Sequence, residues 1–227
     1  MIGNTPAGAN LRGFILPNRA GFYVDGFNVH GGLDEFGAPH LKWLNLRLLC
    51  QKLAGENGHM VERVVYCTAR PRHFANAARI HRWGEYKSAL EIVGCEPVLG
   101  TFALADINCR AKCRETFQKA EEKQSDVNLA IMPIEDLFDQ RIDHVYLVTG
   151  DSDQIPTLRH IATRYPDCER IVVFPPNRGG SSALAQAAIK IRHLSREDIA
   201  SCLFPEVVRL PGDRRYATRP HEYAPPG

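Results

Sequence analysis

The most strand-like segment of the chain is DHVYLVTGDSD at residues 143–153, where an apolar run ends in a Thr-Gly turn and two carboxylates. A short apolar run bounded by turn residues is typical of a buried strand. Four other runs share this character and are spread along the chain. They are GFYVDGFN (21–28), VERVVYCTA (61–69), CEPVLGTFAL (95–104) and ERIVVFPP (169–176).

Segments with apolar residues at helical spacing alternate with these runs. Strands separated by helices are joined by right-handed crossovers, which predicts a parallel sheet with helices on both faces. The predicted fold class is therefore α/β. Ser125 or Asp126 is expected to cap the helix that starts there. The predicted helices span 41–55, 73–93, 125–138, 153–165 and the segment ALAQAAIKI at 183–191.

Length and composition predict one soluble globular domain with tails. The chain has 227 residues, 44% of them hydrophobic, and a formal net charge of +2, which excludes a histone-like polyanion binder. The N-terminus lacks a secretory pattern, and no stretch approaches the roughly 18 apolar residues of a membrane span. We therefore expect a cytoplasmic protein with no membrane partner. We predict a flexible tail at 1–18, one domain at 19–205 and a Pro/Arg-rich tail at 206–227.

Four carboxylates are predicted to lie at one edge of the sheet. Asp25 ends one predicted strand, Asp151 and Asp153 follow another, and Asp126 begins a crossover helix on the same side. Four neighbouring carboxylates repel one another, which favours a bound cation. Oxygen-only ligands select Mg²⁺ or Mn²⁺ over zinc, and such ions suit phosphodiester hydrolysis. Taken singly, Asp25 is also consistent with a turn, and Asp126 or Asp153 with a helix cap.

Three segments together resemble the NYN domain family, a branch of the PIN-like nucleases. They are GFYVDGFNVHGGL, EEKQSDVNLAI and VYLVTGDSDQIPTLRHI, in matching order over roughly residues 21–191. The resemblance implies a Rossmann-like three-layer sandwich, with about five to six mostly parallel strands in the order 3-2-1-4-5, and metal-dependent cleavage of RNA. It assigns catalytic and metal-binding roles to Asp25, Asp126, Asp151 and Asp153, and substrate contacts to Asn28, Thr149 and Ser152.

The cysteines leave a structural zinc open as a lesser alternative. Members of the family often carry a Cys-x-x-Cys pair before the second segment, whereas three residues separate Cys109 and Cys113 here. A structural zinc needs four ligands, and only Cys95 or a histidine such as His81 is placed to complete the set. The remaining cysteines are interpreted as reduced core residues.

The charge is distributed unevenly along the chain. Residues 63–114 carry a net +5, residues 121–153 a net −7, and residues 159–196 a net +5. An acidic centre between basic flanks suits a metal site inside a groove that follows phosphates. Single-stranded or structured RNA is the expected partner, and the oligomeric state stays open, a homodimer included. Candidate phosphate contacts are Arg70, Arg72, Lys87, Lys112, Arg114, Lys123 and Arg178, and candidate base-stacking residues are Phe27, Trp83 and Phe102.

Two further functions compete with a ribonuclease. The first is a non-catalytic RNA-binding or regulatory module, although a pure binder has no need for four repelling carboxylates. The second is a phosphatase with a nucleophilic aspartate in a D-x-D motif, which VTGDSD resembles superficially. In that motif the first aspartate usually follows the first strand, whereas Asp151 lies late in the chain.

Overall fold

The computed structural model of the protein describes residues 18–71, 76–108, 116–177 and 181–226. A seven-stranded sheet forms its centre, with the strand order β4-β3-β2-β1-β5-β6-β7. All neighbouring strands are parallel except β3 and β4. The strands are β1 (Arg19–Asp25), β2 (Met60–Ala69), β3 (Glu96–Asn108), β4 (Thr116–Lys123), β5 (His144–Val148), β6 (Arg170–Phe174) and β7 (Lys190–His193).

Helices cover both faces of this sheet. Alternate residues of β1 face opposite sides, so that Phe22 and Val24 pack in one hydrophobic cluster and Tyr23 in the other. Both clusters are buried, as expected for a parallel sheet between two helical layers. The helices are α1 (Gly26–Asp34), α2 (Leu46–Gly55), α3 (Ala77–Ile92), α4 (Ser125–Phe138), α5 (Ile155–Arg164), α6 (Ser182–Ala187) and α7 (Arg196–Ala200).

The α/β fold class is confirmed, and the sheet is larger than predicted. If the antiparallel strand β4 is left out and the six parallel strands are numbered in chain order, their order in the sheet is 3-2-1-4-5-6. This order contains the predicted order 3-2-1-4-5. The two extra strands are at the edges. β4 comes from a polar segment without apolar alternation, and β7 comes from the end of a predicted helix, where only four residues pair with β6.

The segment predicted as a C-terminal tail is packed against the domain. It forms a small antiparallel pair, β8 (Val207–Val208) with β9 (Ala217–Thr218), followed by a short 3-10 helix (His221–Tyr223). Val208 and Ala217 are buried in the hydrophobic core, and Thr218 N donates to Glu85 Oε2 on α3 at 2.7 Å. The structure differs from the prediction here because isolated apolar residues between prolines and arginines show no periodicity.

Two further features bear on the predictions. The five cysteines in the described part of the chain are buried and free, as interpreted from their apolar surroundings.

None of the helices described by the structure is both long and apolar enough to cross a bilayer.

Candidate active site

The carboxyl edge of the sheet brings the four predicted aspartates together. Asp25 is the last residue of β1, and Asp151 and Asp153 follow β5, which is the strand paired with β1. Asp126 lies in the first turn of α4. Burial raises the pKa of Asp126, and the charges of Asp25, Asp151, Glu122 and Asp153 raise it further. The carboxylates are therefore close enough to repel one another, as the spacing along the chain predicts.

Asp25 is the most firmly held of the four. Its side chain is buried, Oδ1 accepts from Asn28 N at 2.9 Å, and Oδ2 accepts from Thr149 Oγ1 at 2.9 Å. Burial raises the pKa of Asp25, the hydrogen bonds from Asn28 and Thr149 offset part of that rise, and the charge of Asp151 adds to it. The same carboxylate also caps α1, so the local alternative predicted for Asp25 is a helix cap and not an isolated turn.

Two of the predicted substrate contacts instead join β1 and the start of α1 to the loop after β5. Thr149 is 0% exposed, donates to Asp25 and accepts from Asp151 N at 3.1 Å. Substrate cannot reach this hydroxyl, so Thr149 is a positioning residue and not a substrate contact. Asn28 is half-buried, and its Oδ1 accepts from Gly150 N at 3.1 Å. Ser152 is exposed beside the aspartates, where a ligand can reach it.

Gln154 links the loop after β5 to the start of α4. Its side chain is buried, and its Nε2 donates to Asp126 O at 3.1 Å. Its Oε1 accepts from Thr157 Oγ1 at 3.1 Å. Asp151 caps the short 3-10 helix at Ser152–Gln154, with its Oδ1 accepting from Asp153 N at 2.9 Å. These contacts fix Asp126 relative to Asp151, a role for which the sequence carries no signal.

Glu122 is a fifth carboxylate of the site that the sequence analysis did not single out. It lies near the end of β4, and its Oε1 accepts from Ser125 N at 3.0 Å. Burial raises the pKa of Cys67 to about 12, and the charges of Asp25, Asp126 and Glu122 add to that rise, so all three acids lie near one thiol. The family segment EEKQSD contains Glu122, which was the available clue.

The start of α4 corrects the predicted cap. The N-cap is Gln124, with φ of +81°, and its side chain makes no capping hydrogen bond. Ser125 and Asp126 are instead the first helical residues, and Asp126 in the first turn is favoured by the helix dipole. Ser125 Oγ is buried and has no hydrogen-bond partner within the described residues, which leaves an unsatisfied polar atom beside Glu122.

The predicted basic contacts are scattered. Arg70 is exposed just beyond the carboxyl end of β2, and Lys123 is exposed at the end of β4. Lys87 on α3 pairs with Glu91 one turn away, so a local ion pair occupies its charge. The other predicted residues lie outside the described part of the chain, and they are Arg72, Cys109, Lys112, Cys113, Arg114 and Arg178.

A cavity of about 600 Å³ opens at the start of α1, directly after Asp25 in the chain. Gly26 and Phe27, which follow Asp25, line it together with Trp83 of α3 and Phe102 of β3. The rings of Phe27 and Phe102 meet edge to face, with their centroids 6.2 Å apart. The three aromatic residues proposed for base stacking therefore line one cavity next to the acidic site.

A second group of potential metal ligands lies at the opposite edge of the sheet and comprises His59, His144 and Glu169. The two imidazole rings stack with centroids 4.1 Å apart and an interplanar angle of 8°. A metal binds in the plane of an imidazole, and two parallel rings share no such position. In addition, His144 Nδ1 accepts from Glu169 N at 3.3 Å, and Glu169 Oε2 accepts from Lys190 Nζ at 2.9 Å. Because these groups already bind one another, we assign no metal here.

The residues at the carboxyl edge do fit a hard divalent cation. Every acidic side chain there offers carboxylate oxygens, the donor type that Mg²⁺ and Mn²⁺ prefer. The two hydrogen bonds to Asp25 occupy only two of about four lone-pair positions on its carboxylate. The raised pKa of Asp126, caused by burial and by its acidic neighbours, shows a local excess of negative charge that a cation would relieve.

Comparison with known proteins adds a family and two similar chains. The sequence profile of the NYN domain family matches residues 19–194. A relative from Pseudomonas putida, named 6-hydroxy-3-succinoylpyridine 3-monooxygenase HspA, is 29% identical over 228 residues, which is 85% of this chain and 72% of the relative. A crystal structure of a protein of unknown function from Vibrio parahaemolyticus matches with a TM-score of 0.53 and 19% identity, over 83% of this chain and 97% of that chain. The last similarity supports the fold alone.

Proposed function

This chain belongs to the NYN domain family, a branch of the PIN-like nucleases, and from that membership we propose that it is a Mg²⁺- or Mn²⁺-dependent ribonuclease. The observation that carries the proposal is the convergence of Asp25, Asp126 and Asp151 from three separate elements. Their mutual repulsion adds to burial in raising the pKa of Asp126. The reaction is hydrolysis of RNA phosphodiester bonds at this edge of the sheet.

Four aspartates would hold the ion, namely Asp25, Asp126, Asp151 and Asp153, with Glu122 beside them. A divalent cation at such a site activates a water molecule and neutralises charge on the phosphoryl group. The chain keeps its carboxylates in place before substrate arrives, because Thr149 and Asn28 N hold Asp25, while Gln154 holds the start of α4. Such preorganisation avoids rearrangement during the reaction.

The substrate reaches this edge as single-stranded or locally unpaired RNA. Arg70, Lys123 and Ser152 are the exposed polar residues of the predicted set that flank the acids. Basic side chains of this kind contact phosphates, and such contacts do not distinguish one RNA sequence from another. A cytoplasmic location, where RNA substrates are present, belongs to this proposal.

The decisive assay follows cleavage of a labelled, unstructured RNA in the presence of Mn²⁺. Asp151→Asn keeps the volume of the side chain and its cap to Asp153 N, but removes a charge, so we expect cleavage to fall at least a hundredfold while the protein stays folded. Asp167→Asn is the matched control, because Asp167 is an exposed aspartate in the turn before β6. Equal cleavage by both variants and the wild type would contradict the proposal.

The same assay separates the ribonuclease from a non-catalytic RNA-binding module. A binding module shifts labelled RNA in a gel to the same extent with and without Mn²⁺, and leaves it uncut. A ribonuclease cuts RNA only when the cation is added, and chelation with EDTA stops it. Tight binding without cleavage at any Mn²⁺ concentration would favour the binding module.

A second candidate is oxidation of a small heteroaromatic ring, which the aromatic cavity beside the acids favours. The relative from Pseudomonas putida is named as a monooxygenase of a hydroxylated pyridine. Such a reaction inserts one oxygen atom of O₂ and reduces the other to water with two electrons from a reductant. Oxygen consumption that depends on 6-hydroxy-3-succinoylpyridine and a reduced nicotinamide would support this candidate, and its absence beside RNA cleavage would exclude it.

A further inference from the structure

The cavity adjoins the acidic site through neighbours of Asp25 along the chain and across the sheet. Gly26 and Phe27 directly follow Asp25, and Tyr66 of β2 lies in the same lining. Burial raises the pKa of Tyr66, and the charge of Asp25 raises it further, so the Tyr66 hydroxyl lies near the Asp25 carboxylate. A ligand in the cavity would therefore extend from the acidic edge itself.

The lining is rich in flat rings. Phe27, Trp83, Phe102 and Tyr223 contribute rings, and Phe27 is 40% exposed although it is a large apolar residue. A volume of about 600 Å³ lies within the range of small-molecule sites, roughly 300–1,000 Å³. Aromatic rings stack on any base because every base has a π-face. The shape and chemistry thus suit one planar heterocycle.

The rim of the cavity carries cations as well. Lys42 pairs with Asp34, and Arg82 pairs with Glu222. Arg79, in the first turn of α3, makes no ion pair within the parts of the chain that the structure describes. Arg79 is exposed, so its guanidinium can contact an anion, and a phosphate is the anion that accompanies a base in RNA.

We propose that this cavity binds the base of one unpaired nucleotide of the RNA substrate, next to the phosphate that is hydrolysed, with Arg79 contacting a neighbouring phosphate. This inference rests on the proposed ribonuclease function, and it specifies where one base of the substrate binds. A purely apolar partner would not match the cationic rim. A base also explains why exposed Phe27 directly follows Asp25, since a nucleotide's base lies one sugar away from its phosphate.

Binding is tested first, in the full chain carrying Asp151→Asn so that nothing is cleaved. Nucleoside 5′-monophosphates and ribose 5-phosphate are titrated while tryptophan fluorescence is followed. The chain has two tryptophans, of which Trp83 lines the cavity and Trp43 is buried in the core behind it, so we expect Trp83 to dominate a change on binding. We expect the nucleotides to quench fluorescence and to bind about tenfold more tightly than ribose 5-phosphate, which lacks a base.

Phe27→Ala should weaken nucleotide binding about tenfold and leave the affinity for ribose 5-phosphate unchanged. Phe138→Ala is the matched control, because Phe138 is 77% exposed at the end of α4 and does not line the cavity. Arg79→Gln should weaken both ligands. Equal affinity for nucleotides and ribose 5-phosphate would overturn the proposal, as would binding of a free hydroxypyridine acid where nucleotides do not bind.

Cleavage is tested second, with RNA that lacks one base at successive positions. For the wild type we expect a single position beside the cleaved bond at which loss of the base slows cleavage about tenfold, and Phe27→Ala should abolish that difference. Cleavage that is insensitive to every missing base overturns the cavity assignment but leaves the ribonuclease intact. Base-dependent quenching without any RNA cleavage overturns the ribonuclease and supports the assignment of the cavity to a base.

Discussion

Asp25 is oriented by a fully buried hydroxyl, that of Thr149. Thr149 donates to Asp25 Oδ2 and accepts from Asp151 N, so one buried side chain links two of the acids. A buried donor or acceptor that loses its partner costs about 1–3 kcal/mol. The geometry of the acids therefore depends on a residue outside the reacting atoms.

Thr149→Val should separate this positioning role from general stability. The substitution keeps the shape of the side chain but leaves Asp25 Oδ2 and Asp151 N without their partner. We expect RNA cleavage to fall at least tenfold, mainly in kcat, and the free energy of unfolding to fall by about 1–3 kcal/mol. Thr149→Ser keeps the hydroxyl and should retain most of the cleavage rate. Wild-type kcat in the valine variant would show that Asp25 does not depend on this bond.

At the scale of residues, the acids that end parallel strands were the predictable ones. Asp25 and Asp151 follow apolar runs, and the carboxyl ends of such strands meet at one edge. Glu122 and Gln154 could not be found in that way. Glu122 lies on an antiparallel edge strand without apolar alternation, and Gln154 acts through a backbone carbonyl of another element.

At the scale of elements, Gly100 controls how closely β4 and α4 approach β3. A Cβ atom at this position would lie 2.5 Å from Lys123 O, 2.6 Å from Glu122 Oε1 and 2.8 Å from Ser125 Oγ. Backbone is among the atoms it would meet, so the elements themselves must shift. The carboxylates of β4 and α4 would then move away from Asp25.

Gly100→Ala should therefore reduce RNA cleavage more than it reduces stability. We expect cleavage to fall at least tenfold and Mn²⁺ to bind more weakly. Gly84→Ala is the matched control, because nothing lies within 4 Å of a Cβ there and the residue is inside α3. That control should stabilise the protein by about 0.5–1 kcal/mol and leave cleavage unchanged. Equal cleavage by the two variants would show that the close approach at Gly100 does not shape the site.

The packing of the C-terminal segment gives a second prediction at this scale. Val208 of β8 is 4% exposed in the core, whereas its neighbour Val207 is 51% exposed. Val208→Ala should lower the free energy of unfolding by about 2 kcal/mol, and Val207→Ala by less than about 0.5 kcal/mol. Urea unfolding measures both. Equal, small effects would indicate a segment that does not contribute to the core.

The elements that the sequence predicted well are those with strong periodicity. The helix at Ser125–Phe138 has the predicted bounds, and the five predicted strands are present. The strands it missed are short or lie at edges, and the unpredicted helix α1 (Gly26–Asp34) has two glycines besides its first residue. β7 has four residues, and β8 and β9 have two each, so they depend on partners from elsewhere in the chain.

At the scale of the whole molecule, the order of the strands creates the site. β1 and β5 are neighbours although they are far apart in sequence, and the direction of strand succession reverses between them. Ligands of open α/β sheets bind at that reversal. The residues alone predicted a parallel sheet, whereas the strand order came from the resemblance to the family, because crossover connections do not by themselves specify which strands become neighbours.

The net charge of the chain is also divided into acidic and basic segments. A net charge of +2 conceals a segment of −7 at residues 121–153, which contains three of the four aspartates and Glu122. Net charge averages over regions of opposite sign, so it does not argue against an RNA partner. In the proposed function this acidic segment would supply most carboxylates of the cation site, and the basic segments on either side of it are suited to phosphates.

The most direct test of this account is a Mn²⁺ titration of the full chain, with the free ion measured by electron paramagnetic resonance. The account predicts saturable binding that Asp126→Asn and Asp151→Asn abolish and Asp167→Asn preserves. Without metal, Asp126→Asn should be at least as stable as the wild type, because it removes one repelling charge. Equal Mn²⁺ binding by all three variants would contradict the assignment of these carboxylates to a metal site.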